Sequence, residues 1–295
     1  MYPVYPYYSR KEECEDLPIP FPPQSQARPG FEYRMIPNPI SDYDGYVGSG
    51  KLRGKVAIIT GGDSGIGRAV AIAFAKEGAD IVIVYLNEHR DAMDTKRRVN
   101  DLGQECLLFE ADLRLENECE EMVRRTMEFM GRIDILVNNH AIAYQTLSVL
   151  DMTQEQLEDT FTTNLFSYIY LIKAAFPYLE TGSSIINTSS IVGVKGNSGA
   201  MDYAASKGAI INLTKSLAMS LVNNGIRVNA VAPGPVWTPL VVSTFPPNTV
   251  SEFGRNTPYK RAAQPFEIAP AYVYLASEDS GYVTGQVIPV TNEIL

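Results

Sequence analysis

The chain has 295 residues, 45% of them apolar, and a formal net charge of −9. That length fits one domain of roughly 240 residues with an extension better than two full domains. The acidic balance and the lack of a basic stripe exclude a general nucleic-acid role, and the longest apolar runs, such as "VAIIT" and "ADIVIVYL", fall far short of the roughly 20 residues that cross a bilayer.

Residues 1–50 stand apart from the rest. Nine of the 19 prolines and seven of the 17 tyrosines fall there. Proline at that density excludes long helices and central strands. The start, "MYPVYPYYSRKEECED", lacks the apolar run of a signal peptide. Tyr2, Tyr5, Tyr7, Tyr8, Phe21, Phe31 and Tyr33 are too apolar for a solvated tail, so an extended arm over the surface or over a neighbouring subunit is expected.

From Lys51 the pattern is regular. "KVAIITGG" reads as a buried strand, "GIGRAVAIAFAKEGA" as a helix stopped by Gly78, and "DIVIVYL" as a second strand. "RDAMDTKRRVNDLG" is an amphipathic helix, "QECLLFEAD" a third strand, "NECEEMVRRTMEFMG" a helix and "IDILVNN" a fourth strand. Helical pattern near "TQEQLEDTFTTNLFSYIYLIKAAFPYL" precedes the strand "SSIINTSS". Then come the helix "DYAASKGAIINLTKSLAMSLVNNG", the strand "IRVNAVAPG", the helix "PFEIAPAYVYLAS" and a last strand, "GQVIPV". Strands without polar alternation, separated by helices, indicate a parallel sheet covered on both faces. Right-handed crossovers then give a doubly wound α/β fold of Rossmann type over residues 51–295. Residues 239–262 form a connection of lid length, and its Leu240, Val241, Val242 and Phe245 predict an apolar pocket mouth.

"ITGGDSGIGRAVAIAFA" joins the first strand to the first helix. Its Gly61, Gly65 and Gly67 suit a tight turn, a close backbone approach to a diphosphate, and a helix N-terminus with unpaired N–H groups. Asp63, Ser64 and Ile66 lie between them. Cofactor binding is the expected role of this loop.

"MDYAASKGAI" sets Tyr203 and Lys207 one helical turn apart. A free phenol titrates near 10 and is a poor base at neutral pH; a nearby ammonium favours the phenolate. Tyr203 is therefore the candidate acid/base and Lys207 its tuner. Ser190 ends the preceding strand, where ligands of α/β sheets sit. Its neighbour Ser189 competes for that place, with local backbone bonding as its plainer task. Only two histidines occur, His89 and His140, neither with a metal-ligand companion at short spacing, so neither a His-based zinc site nor a Ser-His-Asp triad is expected. Cys14, Cys106 and Cys119 lack CxxC spacing and read as free thiols of a reducing cytoplasm.

The TGxxxGxG loop, "NNHA" at 138–141, Ser190, Tyr203 with Lys207, and "PGPVWT" at 233–238 together resemble the short-chain dehydrogenase/reductase (SDR) family over about residues 50–290. The loop, the proline-rich leader and "RVNAVAPGPVWTPL" are most similar to a bacterial general-stress or glucose/aldehyde-type oxidoreductase branch. The resemblance implies reversible hydride transfer between a nicotinamide and a carbonyl or secondary alcohol, such as an aldehyde, ketone, sugar or steroid-like compound. It gives Ser190 the stabilising of charge on a substrate oxygen, Lys207 the nicotinamide ribose hydroxyls, Asn164 a proton-relay water, Asp112 and the following Leu113 the adenine, and Asn138 a place near the cofactor steadying the central strands. Pro233, Gly234, Val236 and Thr238 form the turn that touches the nicotinamide. It also implies a homotetramer built on two long helices. A non-catalytic dinucleotide sensor on the same fold is the alternative, and it predicts erosion of the tyrosine or lysine. His140, where the family carries a small residue, is expected to be neutral and packed. The absence of a terminal Gly-Gly pair puts the C-terminal part of the pocket in doubt.

NAD preference ordinarily rests on an acid at the end of the second strand. By the family pattern that position is Tyr85, followed by Leu86, and neither is acidic. Neither Ser64 nor Leu86 is basic, as NADP would require, and Asp63 disfavours a 2′-phosphate, which leans the expectation slightly to NAD.

Overall fold

The computed structural model describes residues 21–293; Tyr2, Tyr5, Tyr7, Tyr8 and Cys14 lie outside them. Seven strands form one parallel sheet in the order β3-β2-β1-β4-β5-β6-β7. They are β1 (Val56–Thr60), β2 (Asp80–Tyr85), β3 (Cys106–Glu110), β4 (Ile135–Asn138), β5 (Ser184–Thr188), β6 (Arg227–Pro233) and β7 (Val287–Val290). Each of the seven predicted strands is present, and the order reverses between β1 and β4, where ligands of doubly wound sheets bind.

The helices are α1 (Gly65–Lys76), α2 (His89–Asp101), α3 (Glu116–Met130), α4 (Gln154–Phe161), α5 (Ser167–Ala175), α6 (Ile191–Lys195), α7 (Met201–Leu221), α8 (Pro239–Thr244), α9 (Pro247–Ser251) and α10 (Pro265–Ala276). Strand alternation sorts them into two layers. Ala57, Ile59, Ile81 and Ile83 face α1, α2 and α10. Val56, Ile58, Val82 and Val84 face α3, α5 and α7. A strand buried on both faces needs apolar residues at every position, and β1 is buried at all five.

Between α4 and α5 the chain makes a π-turn over Thr162–Phe166, a feature concentrated at functional sites. The connection 239–262 is not one open loop. Pro239 and Pro247 each start a short helix, α8 and α9, as proline does at a first helical position.

Residues 21–50 run along the body of the chain. The Phe21 ring stacks on Trp237 at 3.8 Å, and its N–H donates to Ser251 O at 3.0 Å. Gln26 N–H donates to Val242 O at 2.7 Å. The Trp237 indole N–H reaches Pro37 O at 3.0 Å. Farther on, Asp42 pairs with Lys76 at 2.5 Å, and Glu77 accepts from Tyr46 Oη at 2.5 Å. The bonds at Phe21, Gln26 and Pro37 supply partners to backbone groups that proline-rich chain cannot pair with itself.

Candidate active site

A cleft of about 670 Å³ opens at the C-terminal ends of β1, β4, β5 and β6. The glycine loop forms one wall. Gly61 and Gly65 adopt φ of 61° and 51°, backbone that side chains rarely take. A Cβ on Gly67 would lie 1.9 Å from Gly61 O, so only glycine lets α1 meet the strand end. The first-turn N–H groups of α1 have no partner inside their own helix. One of them, Gly65 N–H, donates to Glu32 Oε2 of the arm at 2.6 Å. The cradle, its length and the positive helix end fit the diphosphate of a dinucleotide.

Gly61, Asp63, Ser64, Gly65, Ile66, Pro233, Gly234, Val236 and Thr238 line this cleft together with Ser190, Tyr203 and Lys207. The other predicted site residues do not line it. Tyr85 is buried, its hydroxyl 2.8 Å from His89 Nδ1. Leu86 is exposed at the strand end. Asp112 pairs with Arg114 at 2.6 Å, and Leu113 packs into the α3 side of the core. Asn138 is interior: its amide donates to Asn187 Oδ1 at 2.9 Å across the β4–β5 pair. The cleft is met instead by Asn139, whose N–H donates to Thr60 Oγ1 at 2.8 Å and whose amide donates to Thr60 O at 3.0 Å. The two asparagines alternate faces along a strand end. The sequence pattern names the pair but does not say which one turns outward.

Lys207 is fully buried and its ammonium donates to Thr188 O at 2.7 Å. It stands 5.7 Å from the Tyr203 ring centroid. Both groups titrate against the expected sense. Burial pulls Lys207 down to about 7 and pushes Tyr203 up to about 12, with a hydrogen bond from Ser190 pulling the other way. The direct influence on the phenol is therefore the Ser190 hydroxyl, because the ammonium is turned to the β5 carbonyl. Tyr203 is partly buried at the cleft wall.

Ser190 caps α6, accepting from Val192 N–H at 3.4 Å. Ser189 is buried and donates to Lys207 O at 2.7 Å, the plainer task weighed for it. Asn164 sits within the π-turn, fully buried. Its Oδ1 accepts from Ile142 N–H at 2.8 Å, and its amide donates to Ile142 O at 2.9 Å and to Ser206 Oγ at 3.1 Å. These three bonds pin the loop after β4 to α7.

His140 bridges the layers as expected of a packed residue. One ring nitrogen is 2.7 Å from Thr60 Oγ1 and the other 2.8 Å from Ser167 Oγ. Burial first, with the Lys207 charge adding, pulls the imidazole down to about 3, so it is neutral. Asp202, beside the tyrosine, accepts from Thr160 Oγ1 at 2.7 Å and Gln156 Nε2 at 3.0 Å. It ties the start of α7, and with it Tyr203, to α4.

Glu88, Arg28 and Gly30 line the cleft without a signal in the sequence. Glu88 lines the cleft beside Asp63, and its carboxylate folds back on Leu86 N–H at 3.1 Å and Asn87 N–H at 2.9 Å. It lies just past the strand-end position where an acid was sought. Burial holds the carboxyls of both Asp63 and Glu88 above the usual range, and the charge of Glu88 raises Asp63 further. Arg28 and Gly30, both from the arm, also line the cleft. Nothing in proline-rich chain signals where it will cross. Cys106 and Cys119 are buried free thiols, each pushed up to about 12 by burial, and inert as nucleophiles. Among the described residues no group of three His, Cys, Asp or Glu side chains could hold a metal, and no helix is long and apolar enough to cross a membrane.

A family model described as Enoyl-(Acyl carrier protein) reductase matches residues 61–292. General stress protein 39 of Bacillus subtilis is 53% identical over 93% of this chain and 96% of its own. Glucose and ribitol dehydrogenase of Daucus carota is 46% identical over 91% of this chain and 94% of its own. A short chain dehydrogenase from Burkholderia cenocepacia, solved in complex with NADP, superimposes with a TM-score of 0.77 at 28% identity, covering 82% of this chain and 98% of that one. With Ser190, Tyr203 and Lys207 gathered over a glycine loop of the matching spacing, the chain belongs to the short-chain dehydrogenase/reductase family of oxidoreductases.

Proposed function

We propose that this protein catalyses reversible hydride transfer between a nicotinamide dinucleotide and a carbonyl or secondary alcohol, with Tyr203 as the general acid/base. The convergence of Tyr203, Ser190 and Lys207 on one cleft beside the glycine loop carries this reading. Gly61, Ser64, Gly65, Ile66 and Asn139 would hold the dinucleotide, which supplies or accepts the hydride when bound. In reduction, Tyr203 gives its proton to the carbonyl oxygen, and the Ser190 hydroxyl stabilises the charge growing there. Lys207, one turn below, keeps the phenol and the ribose side of the cleft in register. Asn164 locks the loop carrying Ile142 and Ala143, which forms the opposite wall. A sensor on this fold needs neither a buried lysine nor a serine against the phenol, and both are intact.

The mouth is formed by Ile142, Leu240, Val241, Phe245 and Phe253, with Asn197 and Ser243 as its polar points. An apolar wall with few polar anchors suits an aldehyde, ketone or sugar-derived carbonyl compound. For NAD or NADP as the partner, the lean is slightly to NAD: the carboxyls of Asp63 and Glu88 stand beside Ser64 in the cleft, where they offer hydrogen-bond partners to ribose hydroxyls and no cation to a 2′-phosphate. Arg68, the nearby cation, is consumed by Glu32 at 2.5 Å and Asp91 at 3.4 Å. The α5–α7 face, with Ile169, Phe176, Leu213 and Leu217 along an apolar groove, suits a homotetramer, which light scattering would show. The buried reduced thiols suit the cytoplasm.

The test is absorbance of the reduced nicotinamide with NAD and NADP against a panel of aldehydes, ketones, sugars and polyols. Turnover is expected with at least one class and at higher kcat/KM with NAD. No turnover on any member would support the sensor instead.

A further inference from the structure

Residues 28–30 cross the mouth of the cleft. On one side, Glu32 takes Gly65 N–H at 2.6 Å. Gly30 lies so close to Pro239 that a Cβ there would come within 2.6 Å of its carbonyl oxygen. Pro239 in turn abuts the glycine loop, its Cδ 3.5 Å from where a Gly65 Cβ would be. On the other side, the Arg28 guanidinium lies over the Tyr144 ring at 3.7 Å. Tyr144 belongs to the segment after β4, anchored by its hydroxyl donating to Asp159 at 2.7 Å. The arm therefore spans the gap between the β1 loop and the β4 loop.

The charges of the cleft leave Arg28 a task. Lys207 is spent on Thr188 O, and Lys195 pairs with Glu293. Asp63 and Glu88 bring carboxyls and no cation, in a chain of net charge −9. Among the described residues Arg28 makes no ion pair with a carboxylate, and its side chain is exposed on the cleft side. A guanidinium stacked by its face has five edge donors; one is shared with the Tyr144 hydroxyl, and the rest remain for a phosphate. The helix-end N–H groups of α1 other than Gly65, which Glu32 holds, lie opposite on the glycine loop.

We propose that residues 28–30 form a strap over the dinucleotide cleft and that the Arg28 guanidinium binds the diphosphate of the cofactor. This rests on the reading of the cleft as a dinucleotide site. The strap makes the arm part of the binding site: cofactor is held between the loop backbone below and a cation above.

The test compares wild type, Arg28→Ala and Arg28→Lys by calorimetric titration with ADP and with adenosine, and by stopped-flow release of the reduced dinucleotide. Arg28→Ala is expected to weaken ADP about tenfold, the equivalent of about 1.4 kcal/mol, and to speed release similarly. Adenosine affinity should not change, and Arg28→Lys should keep most of the ADP affinity. Unchanged ADP affinity in Arg28→Ala overturns the proposal. Equal losses for ADP and adenosine also overturn it, since the arm would then only pack. So does a loss confined to the KM of anionic substrates, with ADP unaffected. A wild type that binds no dinucleotide sinks the reading of the cleft itself, whatever Arg28 does.

Discussion

Trp237 lies flat against Phe21, ring centroids 3.8 Å apart and planes 11° from parallel. The indole belongs to the turn after β6 that lines the cleft, and the phenyl belongs to the arm. Trp237 is completely buried and is the chain's single tryptophan. Its emission therefore reports on the one cluster where the arm packs against Val241, Val242 and Val250. Phe21→Ala should shift that emission to the red and lower stability by about 2–4 kcal/mol, from lost burial and stacking. Unchanged emission would mean the arm does not cover the indole in solution.

Arg68 holds the other end of the arm. Its guanidinium reaches Glu32 at 2.5 Å and Asp91 at 3.4 Å, and its Nε donates to Thr95 Oγ1 at 2.9 Å. Removing one member of a buried charge network strands the others. Arg68→Ala is expected to cost about 3–5 kcal/mol in denaturant unfolding. Pairing it with Glu32→Gln should recover part of that loss, which a double-mutant cycle would read as coupling.

Tyr203→Phe keeps the ring and removes the proton. Turnover should fall at least about a hundredfold, the floor for losing a general acid/base, while dinucleotide affinity is kept. Ser190→Ala should lower kcat by about 100-fold. It should also move the basic limb of the pH–rate profile upward, because the serine hydroxyl is the group that draws the phenol down. A profile that stays in place would remove Ser190 from contact with the phenol.

Lys207 makes stability depend on pH. In the unfolded chain it keeps its proton up to about 10.5, and in the folded protein only up to about 7. Between those values the unfolded state binds the extra proton, so stability rises with pH. Below pH 7 the full cost of burying an ammonium is felt. Lys207→Met should flatten the rise between pH 7 and 10 in equilibrium unfolding. A wild type with no such rise would place Lys207 in contact with water.

The sheet was legible because its central strands are buried on both faces and therefore read as unbroken apolar runs, as "VAIIT" does. Tyr203 and Lys207 were legible because one helical turn links them. Less visible was everything that depended on which way a residue turns. Asn138 and Asn139 are adjacent, yet one bonds β5 and the other the glycine loop. Asp202 had no reading in the sequence, because its partners Thr160 and Gln156 lie on a different helix. The tuning of Tyr203 by its lysine was expected from spacing alone. The structure sends that ammonium to a main-chain carbonyl, which spacing does not encode.

The arm's contacts also set an order of events in biosynthesis. Pro37 and Trp237 are 200 residues apart in the chain. At about 5–20 residues per second of translation, Pro37 waits roughly 10–40 s for its partner, whereas Glu32 meets Gly65 and Arg68 after only about 35 residues. The arm is thus clasped to the glycine loop long before its Trp237 seat is made.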